Sequence, residues 1–199
     1  MTPNEIMDDV MDRPVLTQRT CGSDGTRVWA TDGVILITWE GGSWKPPRQD
    51  ATPIDSVIDQ ALARIGTEVD LATFAIEPTP IDCEECDGTG RVRDCPQCHG
   101  DGRCECSCGH DHDCAECSGS GVEVGRGDPC EDCEGTGKAQ KWPSVDVSPE
   151  VRFDGRYLAL LRQLPGCGPL HFTDERSPAW LRWSEGVAIL MPLVKGKTA

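Results

Sequence analysis

The sequence lacks any long apolar segment. None of its apolar runs approaches the ~18 residues that a membrane-spanning helix requires. Its first residues, MTPNEIMDDVMDR, have neither a basic start nor an apolar stretch, so they do not resemble a secretory signal. We therefore expect a cytoplasmic protein with no membrane partner.

Recognisable catalytic patterns are absent as well. Asp and Glu are abundant but scattered, and the sequence has no Ser/His/Asp signature and no phosphate-binding loop. The sequence therefore predicts a protein that is not an enzyme.

Basic residues are scarce relative to acidic ones. The chain carries 19 Lys and Arg against 34 Asp and Glu, a formal net charge of −15. Such a chain should not coat a nucleic acid through its net charge. The net charge leaves open the alternative of a local basic surface. The simpler interpretation is that the excess of acidic residues keeps the protein soluble.

Cysteine, in contrast, is abundant and clustered. Eleven of the 13 cysteines fall between residues 83 and 133. In a cytoplasmic protein such a cluster favours metal ligands over disulfides. The pattern C-x-x-C-x-G-x-G occurs four times, as CEECDGTG (83–90), CPQCHGDG (95–102), CAECSGSG (114–121) and CEDCEGTG (130–137).

Each C-x-x-C pair supplies two thiolates from one tight turn, and two pairs complete a tetrahedron around zinc. The glycines suit the sharp turn that follows, because glycine tolerates positive φ and lets backbone N–H groups approach the thiolates. Four C-x-x-C pairs predict two zinc ions, each bound by two pairs. The four pairs can be combined in three ways, and the repeats alone do not choose among them. The alternative is a redox-active or disulfide-bonded block.

This block resembles the cysteine-rich zinc domain of DnaJ-type co-chaperones, whose four repeats are all intact here. The resemblance implies that the first repeat pairs with the fourth and the second with the third. One zinc would then be bound by Cys83, Cys86, Cys130 and Cys133, and the other by Cys95, Cys98, Cys114 and Cys117. The family's His-Pro-Asp motif is absent, so we expect no J-domain activity.

A further ligand-rich stretch, RCECSCGHDHD, lies between the second and third repeats. In an extended strand its alternate residues would share one face. We weigh a third metal site against an exposed reactive loop. The residues in question are Cys104, Cys106, Cys108, His110 and His112.

The flanks of the cysteine block predict helices and strands. A capping box at Thr2–Glu5 begins one helix, and a second helix should follow Thr52. Strands are expected over residues 15–21, 26–32, 34–40, 69–76 and 151–153, a helix over 154–166, and strands over 169–175, 178–185 and 186–194.

The C-terminal flank resembles the last repeat of bacterial DNA polymerase III β sliding clamps. The resemblance rests on Phe153, Tyr157-Leu158, the Thr173-Asp174 and Ser177-Pro178 pairs and Met191-Pro192-Leu193, with ATDGVILI (30–37) as a weaker match. It implies an α+β fold: a sliding-clamp-like β-α-β-β-β repeat domain interrupted by a DnaJ-type zinc-binding β-hairpin module. Residues 1–80 and 141–199 would form the clamp-like domain, and residues 81–140 the insertion.

The clamp family binds partner peptides in a pocket that includes the terminal strand end. The resemblance therefore implies partner binding at Met191, Pro192 and Leu193, although these residues can equally just end a core strand. We expect a zinc-binding adaptor with a protein partner, as a monomer or dimer. The alternatives are a clamp-like replication factor, which could meet DNA only as an oligomer, and a thiol-dependent chaperone.

Overall fold

The computed structural model describes residues 2–12, 20–24, 26–41, 44–46, 54–64, 66–105 and 110–193. The chain divides into two compact units. We call Met1–Glu77 with Trp142–Ala199 the sheet unit, and Pro78–Lys141 the cysteine unit. No helix among the described residues combines the length and the apolar character needed to span a bilayer.

The fold is mixed, with three α-helices and sixteen strands in the described residues, and every strand pair is antiparallel. The elements follow in this order: α1 (Pro3–Asp12), β1 (Thr20–Ser23), β2 (Arg27–Thr31), β3 (Ile35–Glu40), α2 (Asp55–Leu62), β4 (Thr67–Val69), a 3₁₀ turn (Leu71–Thr73), β5 (Thr79–Asp82), β6 (Arg91–Asp94), β7 (Arg103–Glu105), β8 (Asp111–Asp113), β9 (Val122–Val124), β10 (Asp128–Pro129), β11 (Lys138–Lys141), β12 (Ser144–Asp146), β13 (Arg152–Asp154), α3 (Gly155–Leu161), β14 (Leu170–Phe172), β15 (Ala179–Trp183) and β16 (Gly186–Leu190).

A seven-stranded sheet organises the sheet unit, in the order β1-β2-β3-β16-β15-β14-β4. Two three-stranded meanders, β1-β2-β3 and β14-β15-β16, meet where Ile37 of β3 pairs with Ala188 of β16. A helix precedes each meander along the chain, α1 in the first case and α3 in the second. The two halves of this unit therefore repeat one order of elements.

The sheet is covered on both faces because alternate strand residues point to opposite sides. Ile35 and Ile37 belong to the large core cluster that includes α1 and α3, whereas Leu36 joins a smaller cluster. That smaller cluster contains Ile58 and Ala61 of α2. The sheet thus lies between α2 on one face and α1 with α3 on the other.

The capping box predicted at the first helix is confirmed. The backbone N–H of Thr2 donates to the Glu5 carboxylate at 2.6 Å, and the N–H of Glu5 donates to Thr2 Oγ1 at 3.4 Å. The corresponding signal before α2, Thr52, lies outside the described residues, as do positions 15–19 of the first predicted strand.

The strand predicted over residues 69–76 is wrong beyond Val69. The Asp70 side chain accepts a hydrogen bond from the N–H of Ala72 at 2.8 Å and starts a 3₁₀ turn instead. Leu71 and Ile76 are buried there without strand pairing. These apolar side chains therefore join the core from a turn and an irregular segment rather than from a strand.

A buried polar contact joins the two halves of the sheet unit. Asp32, fully buried, accepts hydrogen bonds at Oδ1 from the N–H groups of Val34 and Ile35, at 2.8 and 2.9 Å. Its Oδ2 accepts a hydrogen bond from the Tyr157 hydroxyl on α3 at 2.8 Å. A contact across 125 residues of sequence therefore fixes α3 against the β2–β3 turn.

Candidate metal centres

The cysteine unit has almost no aliphatic core. Among its described residues, the buried apolar side chains are eight cysteines, while Val92 and Val122 are half-buried and Val124 is exposed. Its strands are only two to four residues long. Hydrophobic burial on this scale cannot offset the conformational entropy of ordering the unit.

The strands of this unit are nested. β5 pairs with β11 at its base, β6 pairs with β9 and β10 in the middle, and β7 pairs with β8 towards the tip. This nesting places the first C-x-x-C turn beside the fourth and the second beside the third. The two ends of the unit lie together, since Thr79 pairs with Lys141.

The cysteines form two groups of four whose Sγ atoms all lie within 4.8 Å of one another. We call them the first tetrad, Cys83, Cys86, Cys130 and Cys133, and the second tetrad, Cys95, Cys98, Cys114 and Cys117.

The sulfur spacing within each tetrad fits a tetrahedral ion. Sγ–Sγ distances between paired repeats are 3.9 and 3.7 Å in the first tetrad, and 3.8 and 3.7 Å in the second. Zinc–sulfur bonds of about 2.3 Å imply a tetrahedron edge of about 3.8 Å. A disulfide requires about 2.05 Å between sulfurs. The spacing is therefore that of metal ligands.

The second glycine of each repeat donates a hydrogen bond to a thiol. In every repeat its N–H points at the Sγ of the second cysteine, at 3.2 to 3.3 Å. Such donors stabilise a thiolate and orient it towards a metal. The four donor–acceptor pairs are Gly90–Cys86, Gly102–Cys98, Gly121–Cys117 and Gly137–Cys133.

These glycines also lock the paired repeats together. The N–H of Cys83 donates to the Gly137 carbonyl at 3.0 Å, and the N–H of Cys130 donates to the Gly90 carbonyl at 2.9 Å. A Cβ on Gly90, whose φ is +75°, would lie 2.3 Å from the carbonyl oxygen of Gly135. The second tetrad repeats this arrangement. Glycine at this position is therefore required by the nested pairing as well as by the turn.

Sequence reasoning missed a second set of positive-φ residues. The residue after the second cysteine of each repeat has φ between 47° and 55°, although none of the four is glycine. Because the four residues are chemically different, the sequence gives no signal of their shared conformation, which is seen only when the four repeats are compared in the structure. The four residues are Asp87, His99, Ser118 and Glu134.

The thiols of each tetrad differ in acidity. Burial raises the pKa of Cys83 to about 12 and, in the second tetrad, raises the pKa of Cys98 to about 12. The backbone N–H of Cys117, in contrast, lowers the pKa of Cys114 to about 6. An incoming ion must displace the protons of Cys83 and Cys98, so metal affinity should rise with pH.

Both tetrads suit zinc in a structural role. Four thiolates in a tetrahedron are typical ligands of zinc or of iron–sulfur centres. Two zinc ions fit the two tetrads, each held by four protein ligands. A site closed in this way leaves no position for a substrate or an activated water.

The predicted third ligand group is only partly described. Cys104 on β7 pairs with His112 on β8, and His110 lies just before β8. Cys106 and Cys108 lie outside the described residues. Within the described parts of the chain, only the two tetrads bring three or more ligand atoms within 4.8 Å of one another.

The predicted partner-binding residues lie at the end of β16 and differ in exposure. Met191 is 39% exposed, Pro192 is buried and Leu193 is half-buried. The N–H of Leu193 donates to the carbonyl of Arg152. Met191 alone of the three lines an apolar cleft of about 170 Å³, between the end of the sheet and α2.

Comparison with known proteins gives no relative for this chain: no known family, no curated protein and no solved structure matches it.

Proposed function

We propose that this chain is a non-enzymatic, zinc-binding protein-interaction module. The observation that carries the proposal is the apolar cleft of the sheet unit, because it is an open apolar surface beside a buried core. The closed geometry of both tetrads supports a structural role for the metal. Zinc would then fold the cysteine unit, while the sheet unit would bind a protein partner.

The cleft is the right size for a side chain rather than a small-molecule cofactor. Its volume of about 170 Å³ lies below the about 300–1,000 Å³ of typical small-molecule pockets. Val57 and Met191, two of the most exposed large apolar side chains, lie on its rim. Exposed apolar side chains that gather at one cleft are typical of interaction sites. The cleft is lined by Thr31, Gly33, Val34, Ile35, Leu36, Ile54, Val57, Pro178, Ile189 and Met191.

The occupant we propose is a short segment of another protein with an apolar anchor and basic flanking residues. The apolar lining selects the anchor. The net charge of −15 favours Lys and Arg around it and speeds their encounter. The terminal strand end would contribute through Met191, while Pro192 and Leu193 would support it from within.

Two resemblances give the proposal its finer form. We propose that the cysteine unit is a DnaJ-like zinc hairpin, supported by the four intact repeats and their nested pairing. We also propose that the sheet unit is related to one sliding-clamp domain. The repeated order of helix and three-stranded meander in its two halves supports that relation.

A clamp-like replication factor is the second candidate, and it rests on that same internal repeat. The helix charges favour it less. α1 carries Glu5, Asp8, Asp9 and Asp12 and no basic residue, whereas a helix lining a DNA channel needs Lys and Arg for phosphates. On α3, the Arg156 guanidinium is paired with the Asp154 carboxylate at 3.0 Å.

A thiol-dependent chaperone is the third candidate. Eight of its thiols would be occupied as metal ligands in the folded protein, which reduces its reactive capacity. A free-thiol assay on the zinc-loaded protein separates this candidate from the other two.

Selection from a displayed library of random short peptides tests the proposal. We expect the selected peptides to share an apolar residue flanked by Lys or Arg. Met191→Glu should weaken their binding at least tenfold in calorimetry. Val124→Glu is the matched control, because Val124 is similarly exposed (41%) but lies in the cysteine unit, and it should leave binding unchanged.

Equal weakening by both substitutions would show general charge repulsion and contradict the proposal. Selected peptides that still bind the Met191→Glu protein with full affinity would also contradict it. Retention on closed circular DNA, together with a trimeric or hexameric mass, would favour the replication candidate instead.

A further inference from the structure

A groove of about 740 Å³ lies within the cysteine unit, between the turns of the first and third repeats. The turn of the first repeat contributes Glu84, Glu85 and Asp87 to its lining, and the turn of the third repeat contributes Glu116. The first repeat belongs to the first tetrad and the third repeat to the second. The groove is therefore assembled from two turns that bind different metal ions.

The side chains that line this groove are mostly acidic. Five carboxylates and a single guanidinium, that of Arg126, give the lining a net charge of −4. One of the five, Glu123, is paired with Arg93 at 2.5 Å. In the described part of the chain, no ion pair joins the four carboxylates of the two turns to a basic side chain. A cation from outside the chain would relieve their mutual repulsion.

The groove also exposes an apolar surface. Val124 lines it and is 41% exposed, whereas Val122, two residues earlier on the same strand face, is half-buried. A valine exposed among carboxylates suits a ligand that carries both methylene groups and positive charges. Lys and Arg side chains have this character, because their hydrocarbon stems cover apolar surface while their charged ends stay in water.

We propose that this groove binds an extended, Lys- and Arg-rich segment of a protein partner. Successive side chains of an extended segment point to opposite sides, so its cationic groups can reach the carboxylates of both turns. A groove lined by one sign of charge concentrates ligands of the opposite sign and repels nucleic acids. Bound zinc strengthens this effect, because an ion with four thiolates leaves a net charge of about −2.

Binding in this groove should depend on both metal ions. The carboxylates of the first and third repeats come together only while both turns are folded, and the two repeats share no tetrad. Loss of either ion should therefore separate Glu116 from the carboxylates of the first turn. An acidic segment that attracted cations through its composition alone would keep its affinity after such a loss.

Fluorescence anisotropy with a labelled oligolysine peptide tests the proposal on the full, zinc-loaded chain. Glu85→Gln combined with Glu116→Gln removes one carboxylate from each turn and should weaken binding about fivefold or more. Glu131→Gln combined with Asp132→Asn is the matched control, because both residues are exposed in the fourth repeat and lie outside the groove. The control changes the net charge equally and should weaken binding about twofold at most.

Two ligand substitutions test the dependence on metal. Cys83→Ser and, separately, Cys95→Ser should each weaken binding at least as much as the double substitution in the groove. The oligolysine probe has no apolar anchor, so Met191→Glu in the cleft of the sheet unit should not weaken its binding. This result is therefore distinguishable from the outcome for the cleft.

Three outcomes would overturn the proposal. The first is no binding of oligolysine by the unsubstituted protein. The second is equal weakening by the two double substitutions, which would show attraction to net charge alone. The third is full affinity in both the Cys83→Ser and the Cys95→Ser variants.

Discussion

The two units of this chain differ in the kind of side chain that they bury. The sheet unit buries aliphatic and aromatic side chains on both faces of a seven-stranded sheet. The described part of the cysteine unit buries eight thiols and otherwise exposes or half-exposes its few valines. Apolar burial can therefore stabilise the first unit, whereas the second has two cysteine tetrads whose spacing fits metal ions. We expect the stabilities of the two units to be separable.

Aromatic residues sharpen this contrast. All six Trp, the single Tyr and all three Phe lie outside residues 78–141. Tryptophan fluorescence and near-ultraviolet circular dichroism consequently report on the sheet unit alone. Metal content reports on the cysteine unit, so each unit has its own probe.

Replacing one ligand should produce the largest effect. Cys83→Ser is expected to remove the ion of the first tetrad, since a structural zinc contributes about 10–16 kcal/mol in small zinc domains. Native mass spectrometry should show one zinc fewer, and Cys95→Ser should remove the other ion instead. Loss of both ions from either variant would contradict independent, nested sites.

Glycine substitution should separate steric conflict from backbone strain. Gly90→Ala forces a Cβ to within 2.3 Å of the Gly135 carbonyl oxygen, so we expect loss of the first-tetrad ion. Gly125→Ala is the matched control: its φ is also +75°, but the nearest atom would lie 3.6 Å away. The control should cost only about 1–2 kcal/mol and retain both ions. Equal metal loss in both variants would contradict the steric explanation.

A core truncation should show the reverse pattern. Phe153 is fully buried in the sheet unit. Phe153→Ala should lower the free energy of unfolding by about 3–5 kcal/mol, measured by tryptophan fluorescence in urea. The zinc content should stay unchanged. Simultaneous loss of zinc would show that the cysteine unit depends on the sheet unit for its fold.

The smallest expected effect concerns the buried contact between the halves of the sheet unit. Tyr157→Phe removes the hydroxyl that donates to Asp32 while keeping the ring. We expect a loss of about 1–3 kcal/mol, because a fully buried carboxylate loses one of its donors. The fluorescence-detected urea midpoint should fall with an unchanged slope. An unchanged midpoint would indicate that Asp32 finds another donor.

The two units also differ in how much the sequence reveals. The ligand cysteines can be predicted from the local sequence, because each C-x-x-C-x-G-x-G repeat fixes its own turn and its own N–H···S hydrogen bond. The nesting into first-with-fourth and second-with-third came from the resemblance, since spacing alone left three pairings open. The structure shows its physical basis in the hydrogen bonds that the N–H of Cys83 donates to the Gly137 carbonyl and the N–H of Cys130 donates to the Gly90 carbonyl.

The fold of the sheet unit was harder to predict from the sequence, because it depends on contacts between residues that are far apart in the chain. Asp32 and Tyr157 are 125 residues apart, and nothing near either one indicates the other. The helix predicted over 154–166 ends at Leu161, yet the apolar side chain of Leu164 beyond its end is buried. Burial was thus easier to predict than the conformation that achieves it.

Metal removal tests the separation of the two units most directly. The protein should be treated with a strong zinc chelator under reducing conditions and followed by amide NMR and by tryptophan-detected thermal unfolding. We expect the amide signals of residues 78–141 to collapse to unfolded positions, while the tryptophan transition keeps its midpoint and cooperativity. A cysteine unit that keeps its dispersed signals without metal, or a tryptophan transition that disappears with the zinc, would contradict the account.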